Sequence, residues 1–227
     1  MEDAARRPAR VRRRRRFEAV HKWSATAAAV VALAFSVYNF AELQRKPNVE
    51  LTLPHVLRLE NAGTAAQFYV QPTVSTRFKS ENVEVIRDAH LKLSPAGSTS
   101  SSKRPVFYWR ETVTWQYDPA TDTVNNHWSS DPAPFTVSQD KPQQPAFKFR
   151  ADNWTYQAGR YEGSLELLRS ADHTPLTKKF CLIISEAAAK ELRDAEKTNL
   201  TIKWFLNNQP KFTSSGNFPE CYRRDID

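Results

Sequence analysis

The 227-residue chain carries 33 Lys and Arg against 25 Asp and Glu, a formal net charge of +8 at pH 7. Residues 1–22 hold nine basic and three acidic side chains, so the remainder of the chain is nearly neutral. A nucleic-acid-binding surface needs Lys and Arg clustered on a folded face, and no such run follows residue 46. The composition therefore argues against nucleic acid as a partner, and residues 1–22 are predicted to form a basic cytoplasmic tail.

An uncharged stretch, Trp23–Ala41, follows this tail directly. As an α-helix it would span roughly 28 Å, close to the ~30 Å hydrocarbon thickness of a bilayer. Residues 27–35 are apolar on every side, whereas a surface helix of a soluble protein shows an apolar stripe. The preceding arginines predict that the N-terminus is cytoplasmic. Residues 23–41 are therefore expected to cross the membrane in contact with lipid.

Two short patterns bear on whether this segment is cleaved. The arginine block ends in Arg-Arg-x-Phe, which resembles a twin-arginine export signal, and Ala32 and Ala34 form an Ala-x-Ala. This Ala-x-Ala lies inside the apolar run, and no comparable small-residue site follows. We therefore expect an uncleaved signal anchor in the inner cell membrane, a short linker at 42–47, and a periplasmic or extracellular domain at 48–227.

The extracytoplasmic region shows the alternation of apolar and polar residues that is typical of half-buried strands. Further strands are predicted at 67–78, 82–93 and 179–185, which brings the total to about seven or eight. Since no helices alternate with them, an antiparallel β-sandwich is expected. The alternating residues are Val49, Leu51 and Leu53; Phe107, Trp109, Val113, Trp115 and Tyr117; Phe147 and Phe149; and Tyr161, Leu165 and Leu167. The shared parity predicts that Trp109 and Trp115 both lie in the core.

The segment "YQAGRYEGSLELLRS", followed by "KKFCLIIS", resembles the end of an immunoglobulin-like sandwich. The resemblance implies that Tyr161 is a structural corner, whose hydroxyl ties down the preceding loop. It departs from antibody domains two residues later, where Gly163 stands in place of a cysteine. The expected fold is thus mainly β: one N-terminal transmembrane helix, then an immunoglobulin-like sandwich with one short C-terminal helix. This resemblance implies no activity.

The short helix is predicted from "SEAAAKELRDAEK", with Ser185 as its N-terminal cap. Its apolar side is thin, because only Ala188, Leu192 and Ala195 lie on it. The helix is therefore expected on the surface of the sandwich, as a connection to the C-terminal tail.

The chain has two cysteines, Cys181 and Cys221, both on the predicted extracytoplasmic side. Oxidising conditions there favour a disulfide between them. The disulfide is expected to attach the C-terminal tail to a strand, so that the tail covers one side of the sandwich. Without it, the tail is expected to fray.

The sequence contains no recognisable catalytic pattern. The five histidines are scattered without the spacing of metal ligands, and neither a glycine-rich phosphate loop nor Gly-x-Ser-x-Gly is present. Two Ser-x-x-Lys matches, at 100–103 and 138–141, fall in predicted loops, although in penicillin-binding enzymes this pattern begins a helix. We expect no catalytic residues, no metal and no cofactor, with an enzyme of dispersed site residues as a remaining alternative.

Trp128 and Trp154 fall in predicted loops, where an exposed ring would anchor a protein partner or stack on a sugar. Packing against the core is the alternative for both. We predict a single-pass membrane protein whose outer domain binds another protein, as an accessory or assembly component of an envelope system. The alternative function is a carbohydrate- or envelope-polymer-binding module that uses these two tryptophans.

Overall fold

The computed structural model describes residues 7–43, 48–76, 83–97, 104–120, 122–138, 141–170, 173–198, 202–207 and 221–224. The protein is mainly β, with an apolar N-terminal helix and a second helix, as predicted. The elements in chain order are α1 Arg7–Leu43, β1 Val49–Thr52, β2 Val56–Ala62, β3 Ala65–Val70, β4 Thr73–Thr76, β5 Glu84–Pro95, β6 Tyr108–Asp118, β7 Thr123–Ser130, β8 Phe135–Val137, β9 Ala146–Ala151, β10 Gly159–Arg169, β11 Leu176–Ile184, α2 Glu186–Thr198, β12 Lys203–Asn207 and β13 Cys221–Arg223.

Helix α1 belongs to a compact unit of its own, separate from the β-rich domain. Its segment Trp23–Leu43 is 21 residues long and is almost entirely exposed, including its large apolar side chains. At about 1.5 Å per residue this segment reaches across the hydrocarbon layer of a bilayer. Its length and composition suit either a membrane anchor or a signal sequence.

Hydrogen bonds join eleven strands into one sheet, in the order β7-β6-β9-β3-β2-β12-β13-β11-β10-β5-β8. Strands β1 and β4 form a separate two-stranded sheet. Within the large sheet β11 and β13 are parallel, and the other neighbouring pairs are antiparallel. The sheet curls into a half-barrel. The expected immunoglobulin-like sandwich is therefore not confirmed, because such a sandwich consists of two separate sheets.

The curl brings two halves of the large sheet face to face. We call β2, β3, β9, β6 and β7 the first wing, and β11, β10, β5 and β8 the second wing; β12 and β13 connect them. The ring of Phe68 in the first wing lies 5.7 Å from that of Phe180 in the second. Phe147 and Phe135 make a similar contact between the wings, with ring centroids 6.1 Å apart. The hydrophobic core therefore lies between the wings.

The predicted disulfide between Cys181 and Cys221 is present, with the two Cα atoms 4.6 Å apart. It joins directly opposite residues of the parallel strands β11 and β13. The expectation that the tail covers one side of a sandwich does not hold for β13, which lies within the sheet between β12 and β11. The rest of the tail, at 208–220 and 225–227, lies outside the described residues. Phe180 and Leu182 are buried in the core, and Cys181 between them points to the opposite side.

Helix α2 begins where the sequence predicts, since Ser185 Oγ accepts a hydrogen bond of 3.1 Å from the Ala188 amide. Ala188, Ala189 and Leu192 are buried in the core, so this thin apolar side packs closely. Small alanine side chains allow the helix backbone to approach the sheet. Glu191 on the same helix forms ion pairs with Lys203 and Arg224, which fix the helix to β12 and to the residue after β13.

Candidate functional site

Strand β6 contains a bulge between Trp109 and Glu111. One extra residue at a bulge reverses the side of the sheet that the following residues face. Trp109 packs in the core against Phe147, with 5.0 Å between ring centroids, whereas Trp115 lies on the outer side, 5.4 Å from Tyr69. Both tryptophans are partly buried and pack against hydrophobic clusters, Trp109 against the core between the wings and Trp115 against a smaller outer cluster of Tyr69, Val113 and Ala146. The predicted shared parity is wrong, because strict alternation does not hold across the bulge and the two rings pack on opposite sides of the sheet.

The bulge helps to create an aromatic surface on the outer side of the first wing and β12. Strand register places its members on one side: Arg58 is opposite both Tyr69 and Trp204, and Trp128 is opposite Val113. Three of the rings are largely solvent-exposed: Trp128 at 63%, Tyr117 at 56% and Trp204 at 49%. We call the following residues the outer aromatic face: Tyr69, Trp115, Tyr117, Trp128 and Trp204.

Tyr69 forms the fixed centre of this face. Its side chain is 1% exposed, and its hydroxyl lies 2.6 Å from Glu60 Oε2 and 2.7 Å from Gln67 Oε1. Burial, reinforced by the Glu60 carboxylate, raises the pKa of Tyr69 far above its ordinary value. The phenol therefore stays protonated and donates to Glu60, so it orders the surface and does not act as an acid or base near neutral pH.

Arg58 links the separate rings of the outer aromatic face. Its guanidinium carbon lies 4.1 Å from the ring centroid of Trp115, which is the geometry of a cation–π contact. Burial lowers the pKa of Arg58, although an arginine keeps its charge at neutral pH. Arg58 Nε and Trp115 Nε1 are both buried, and neither has a hydrogen-bond partner among the described residues. An acceptor from a bound molecule or from water would satisfy these two donors.

The outer aromatic face is broad. Five inter-strand steps separate β12, which carries Trp204, from β7, which carries Trp128. At about 4.8 Å per step this distance is roughly 24 Å along the sheet. Lys148 lies between them, paired with Glu111 at 2.7 Å and positioned 5.5 Å from the Tyr69 ring centroid. The exposed rings at the two ends of this surface are therefore far apart along the curled sheet.

The two tryptophans selected from the sequence lie in different places. Trp128 is on β7 and not in a loop as predicted. The residue opposite it on β6, Val113, is in turn opposite Ala146, the first residue of β9. Trp154 follows the far end of β9 by three residues. The two side chains therefore do not form one site.

Trp154 is partly buried in an aromatic cluster. Its ring centroid lies 5.0 Å from that of Tyr156, 5.9 Å from that of Phe107 and 6.1 Å from that of Tyr161. The Tyr161 hydroxyl donates to the Gln157 carbonyl at 2.9 Å and accepts from the Gln157 amide at 3.1 Å, which ties the preceding loop to β10. An open groove of about 720 Å³ lies beside this cluster and is lined in part by Thr64, Asn153, Trp154 and Arg160.

A separate polar cluster surrounds the buried carboxylate of Glu84. Glu84 accepts hydrogen bonds from Arg169 at 2.6 Å and Ser170 at 3.1 Å, and His173 Nδ1 lies 2.8 Å away. Burial would raise the pKa of Glu84, but hydrogen bonds and charge from Arg169 and His173 outweigh it and hold that pKa below its ordinary value. Ser170 bonds to the carboxylate and not to the imidazole, so this arrangement is not that of an activated serine nucleophile.

The described residues contain no group of three or more His, Cys, Asp or Glu side chains that could hold a metal ion.

Comparison with known proteins identifies no family: no family description and no curated protein matches the chain. Among solved structures, it is similar to a family 123 glycoside hydrolase from Clostridium perfringens, at 10% identity and a TM-score of 0.30. The similar region covers 61% of this chain and 27% of the hydrolase, so the chain spans about a quarter of that protein. A similarity this weak carries no inference about function.

Proposed function

We propose that this protein is a single-pass membrane protein whose extracytoplasmic β domain binds another protein through the outer aromatic face. The observation that carries the proposal is the exposure of Trp128, Tyr117 and Trp204 on one side of a rigid sheet. Trp, Tyr and Arg dominate the binding energy of protein interfaces, and this face together with Arg58, which packs on Trp115, combines all three residue types.

The membrane part of the proposal is an uncleaved signal anchor in the inner membrane, with its N-terminus on the cytoplasmic side. Three observations support it: the apolar helix Trp23–Leu43, the preceding arginines, and the Cys181–Cys221 disulfide, which suits an oxidising compartment. The domain would then act as an accessory or assembly component of the cell envelope.

We also propose a distant relation between the β domain and immunoglobulin-like sandwiches. Its two wings pack face to face, and the hydroxyl of Tyr161 bonds to the backbone four residues upstream. In this proposal, the two wings correspond to the two sheets of such a sandwich, and β12 and β13 join them into one sheet.

A photo-crosslinking experiment on the full chain in its native membrane tests the protein-binding proposal. A photoreactive amino acid replaces Trp128 or Trp204, and the matched control replaces Lys92, which lies on the outer side of the second wing. We expect one partner of the same mass to be captured from both tryptophan positions and not from position 92. Equal capture at all three positions, or capture at none, would overturn the proposal.

A second candidate function is carbohydrate binding in the groove beside Trp154. The observation that favours it is an aromatic ring next to polar side chains, Thr64, Asn153 and Arg160, in a groove of about 720 Å³. Asn153→Gly removes a polar contact and tolerates the positive φ of 54° at this position, so it should leave the aromatic cluster in place. Binding to a panel of envelope glycans should then fall, whereas Trp128→Ala should leave it unchanged. A panel that shows no binding by the unaltered protein would exclude this candidate.

A further inference from the structure

The large sheet has two edges, and they differ in how well they are protected. Strand β8 has three residues, Phe135–Val137, with Pro132 and Pro134 before it and Pro142 after it. Short strands and nearby prolines are common ways to prevent a sheet edge from pairing with another chain. Strand β7, Thr123–Ser130, has eight residues and contains neither a proline nor a charged Asp, Glu, Lys or Arg. Among the described residues, those at 124–130 pair with no strand besides β6, so the side of β7 away from β6 forms an open edge.

The side chains of β7 divide between the two sides of the sheet. The register with β6 places Val124, Asn126 and Trp128 on the same side as the outer aromatic face, since they are opposite Tyr117, Trp115 and Val113. On the other side lie Thr123, Asn125 and His127, which are opposite Asp118, Gln116 and Thr114. Most of these β7 side chains are exposed or only partly buried.

We propose that β7 pairs with β7 of a second copy of this chain, antiparallel, about a two-fold axis at Asn126. In this register Trp128 is opposite Val124 of the second copy, and His127 is opposite Asn125 of the second copy. Aromatic and β-branched side chains form favourable cross-strand pairs. The two Asn126 amides meet at the axis, and each can both donate and accept a hydrogen bond. One surface is thus complementary to itself, as two-fold contacts require.

The composition of β7 favours a second copy of this chain as the molecule that pairs with this edge. The strand has no fixed charge with which to select an acidic or basic peptide, and pairing with itself opposes no like charges. The paired segment is short, so its contact area is below that of a stable soluble dimer, and association should depend on concentration. Confinement of two copies to one membrane would raise their effective concentration. The proposed register depends only on the residues of β7. It can therefore hold whether or not the domain also binds the protein partner proposed above.

This pairing would have a consequence for the outer aromatic face. Because Val124 and Trp128 lie on that side of the sheet, the faces of the two copies would meet across the axis. Trp128 of one copy would lie near Tyr117 and Val124 of the other. The dimer would present one continuous aromatic surface.

Site-specific disulfide formation tests the register in the full chain in its native membrane. Cys181 and Cys221 are bonded to each other, so Asn126→Cys introduces the single free thiol. Directly opposite strand residues have Cα atoms roughly 4.5–5.5 Å apart, which a disulfide can bridge. We expect a covalent dimer after mild oxidation, in higher yield than from Asn125→Cys or from Thr136→Cys on the β8 edge. Equal yields at positions 126 and 136, no dimer at 126, or a bond to a different protein would each overturn the proposal.

A charge variant provides an independent test. Asn126→Lys opposes two like charges at the axis, and Thr136→Lys is the matched change on the β8 edge. The dimer dissociation constant of the detergent-solubilised chain, measured by light scattering, should rise by about fivefold for Asn126→Lys. It should stay unchanged for Thr136→Lys, and both variants should melt at the temperature of the unaltered protein. An unchanged dissociation constant for Asn126→Lys would contradict the pairing.

Discussion

The two wings of the large sheet share an apolar inner side and differ on their outer sides. The second wing presents charged and polar residues outward, and Lys92 and Glu166 form an ion pair of 2.7 Å between β5 and β10. The first wing presents the exposed rings of Tyr117 and Trp128, beside charged residues such as the Lys148–Glu111 ion pair. Exposed charges cost little free energy on a sheet surface, whereas exposed aromatic rings keep apolar area in water. This difference is the reason why the proposed partner is placed on the first wing.

The largest effect is expected from breaking the connection between the wings. Cys181→Ala combined with Cys221→Ala removes the disulfide that closes a loop of about forty residues, and should lower the free energy of unfolding by roughly 3–4 kcal/mol. Because β13 lies between β12 and β11, the loss should affect both wings together. Urea unfolding and limited proteolysis measure this effect. Cleavage confined to the tail, with an unchanged midpoint, would show that the connection is dispensable.

A slightly smaller effect is expected at the buried carboxylate of the second wing. Glu84→Gln leaves Arg169 and His173 without their anion and should cost about 3 kcal/mol at pH 7. Because the folded pKa of Glu84 is lowered, its contribution is present above the unfolded carboxyl pKa of about 4.3 and is lost as the pH falls through the folded pKa. The stability difference between wild type and variant should therefore shrink in acid. Unfolding curves from pH 7 to pH 3 test this trend, and a constant difference would refute it.

An intermediate effect is expected at Gly163, in the second wing. A Cβ atom there would lie 2.4 Å from Cζ of Phe180, the residue directly opposite it on β11. Gly163→Ala should therefore destabilise the protein by about 2 kcal/mol through overpacking. Phe180→Leu in the same chain should recover part of this loss, and a double-mutant cycle of unfolding free energies measures the coupling. Strictly additive losses would mean that the two residues do not compete for the same space.

The smallest effect on stability distinguishes the outer sides of the two wings. Trp128→Ala and Lys92→Ala should each change the free energy of unfolding by less than about 0.5 kcal/mol, because both side chains are exposed. Binding of the captured partner should weaken by more than about 1 kcal/mol for Trp128→Ala alone. Parallel melting and affinity measurements on both variants provide the test. Equal losses of affinity would remove the distinction between the wings.

Local features of the structure could be predicted from the sequence, and long-range pairing could not. The apolar N-terminal helix, the cap at Ser185 and the disulfide each follow from a few neighbouring residues or from a pair without alternatives. The connection of the wings depends on β12 and β13, five and three residues long, whose partners lie far away in the sequence. Short strands carry too few alternating residues to be recognised.

Apart from Trp128, the candidate site could not be predicted from the sequence, for a related reason. The bulge after Trp109 changes the parity of β6, and no sequence pattern marks it. Arg58, Tyr69 and Trp204 stand at outward-facing positions of their strands, where alternation predicts polar side chains. The signal that the sequence offers is that large aromatic residues occupy some of these positions. Trp204 stands beside the buried Phe205, so its outward direction follows only once β12 is recognised as a strand.

The position of β12 and β13 in the middle of the sheet also sets the order in which the domain can assemble. Leu57 on β2 pairs with Phe205 on β12, which closes a loop of about 150 residues. Until residues 203–223 have left the ribosome, β2 and β11 each have an unpaired edge. Contacts this distant in sequence form slowly, and open strand edges invite misassembly. We expect a pulse-labelled chain to acquire protease resistance only after residues 203–223 have been synthesised.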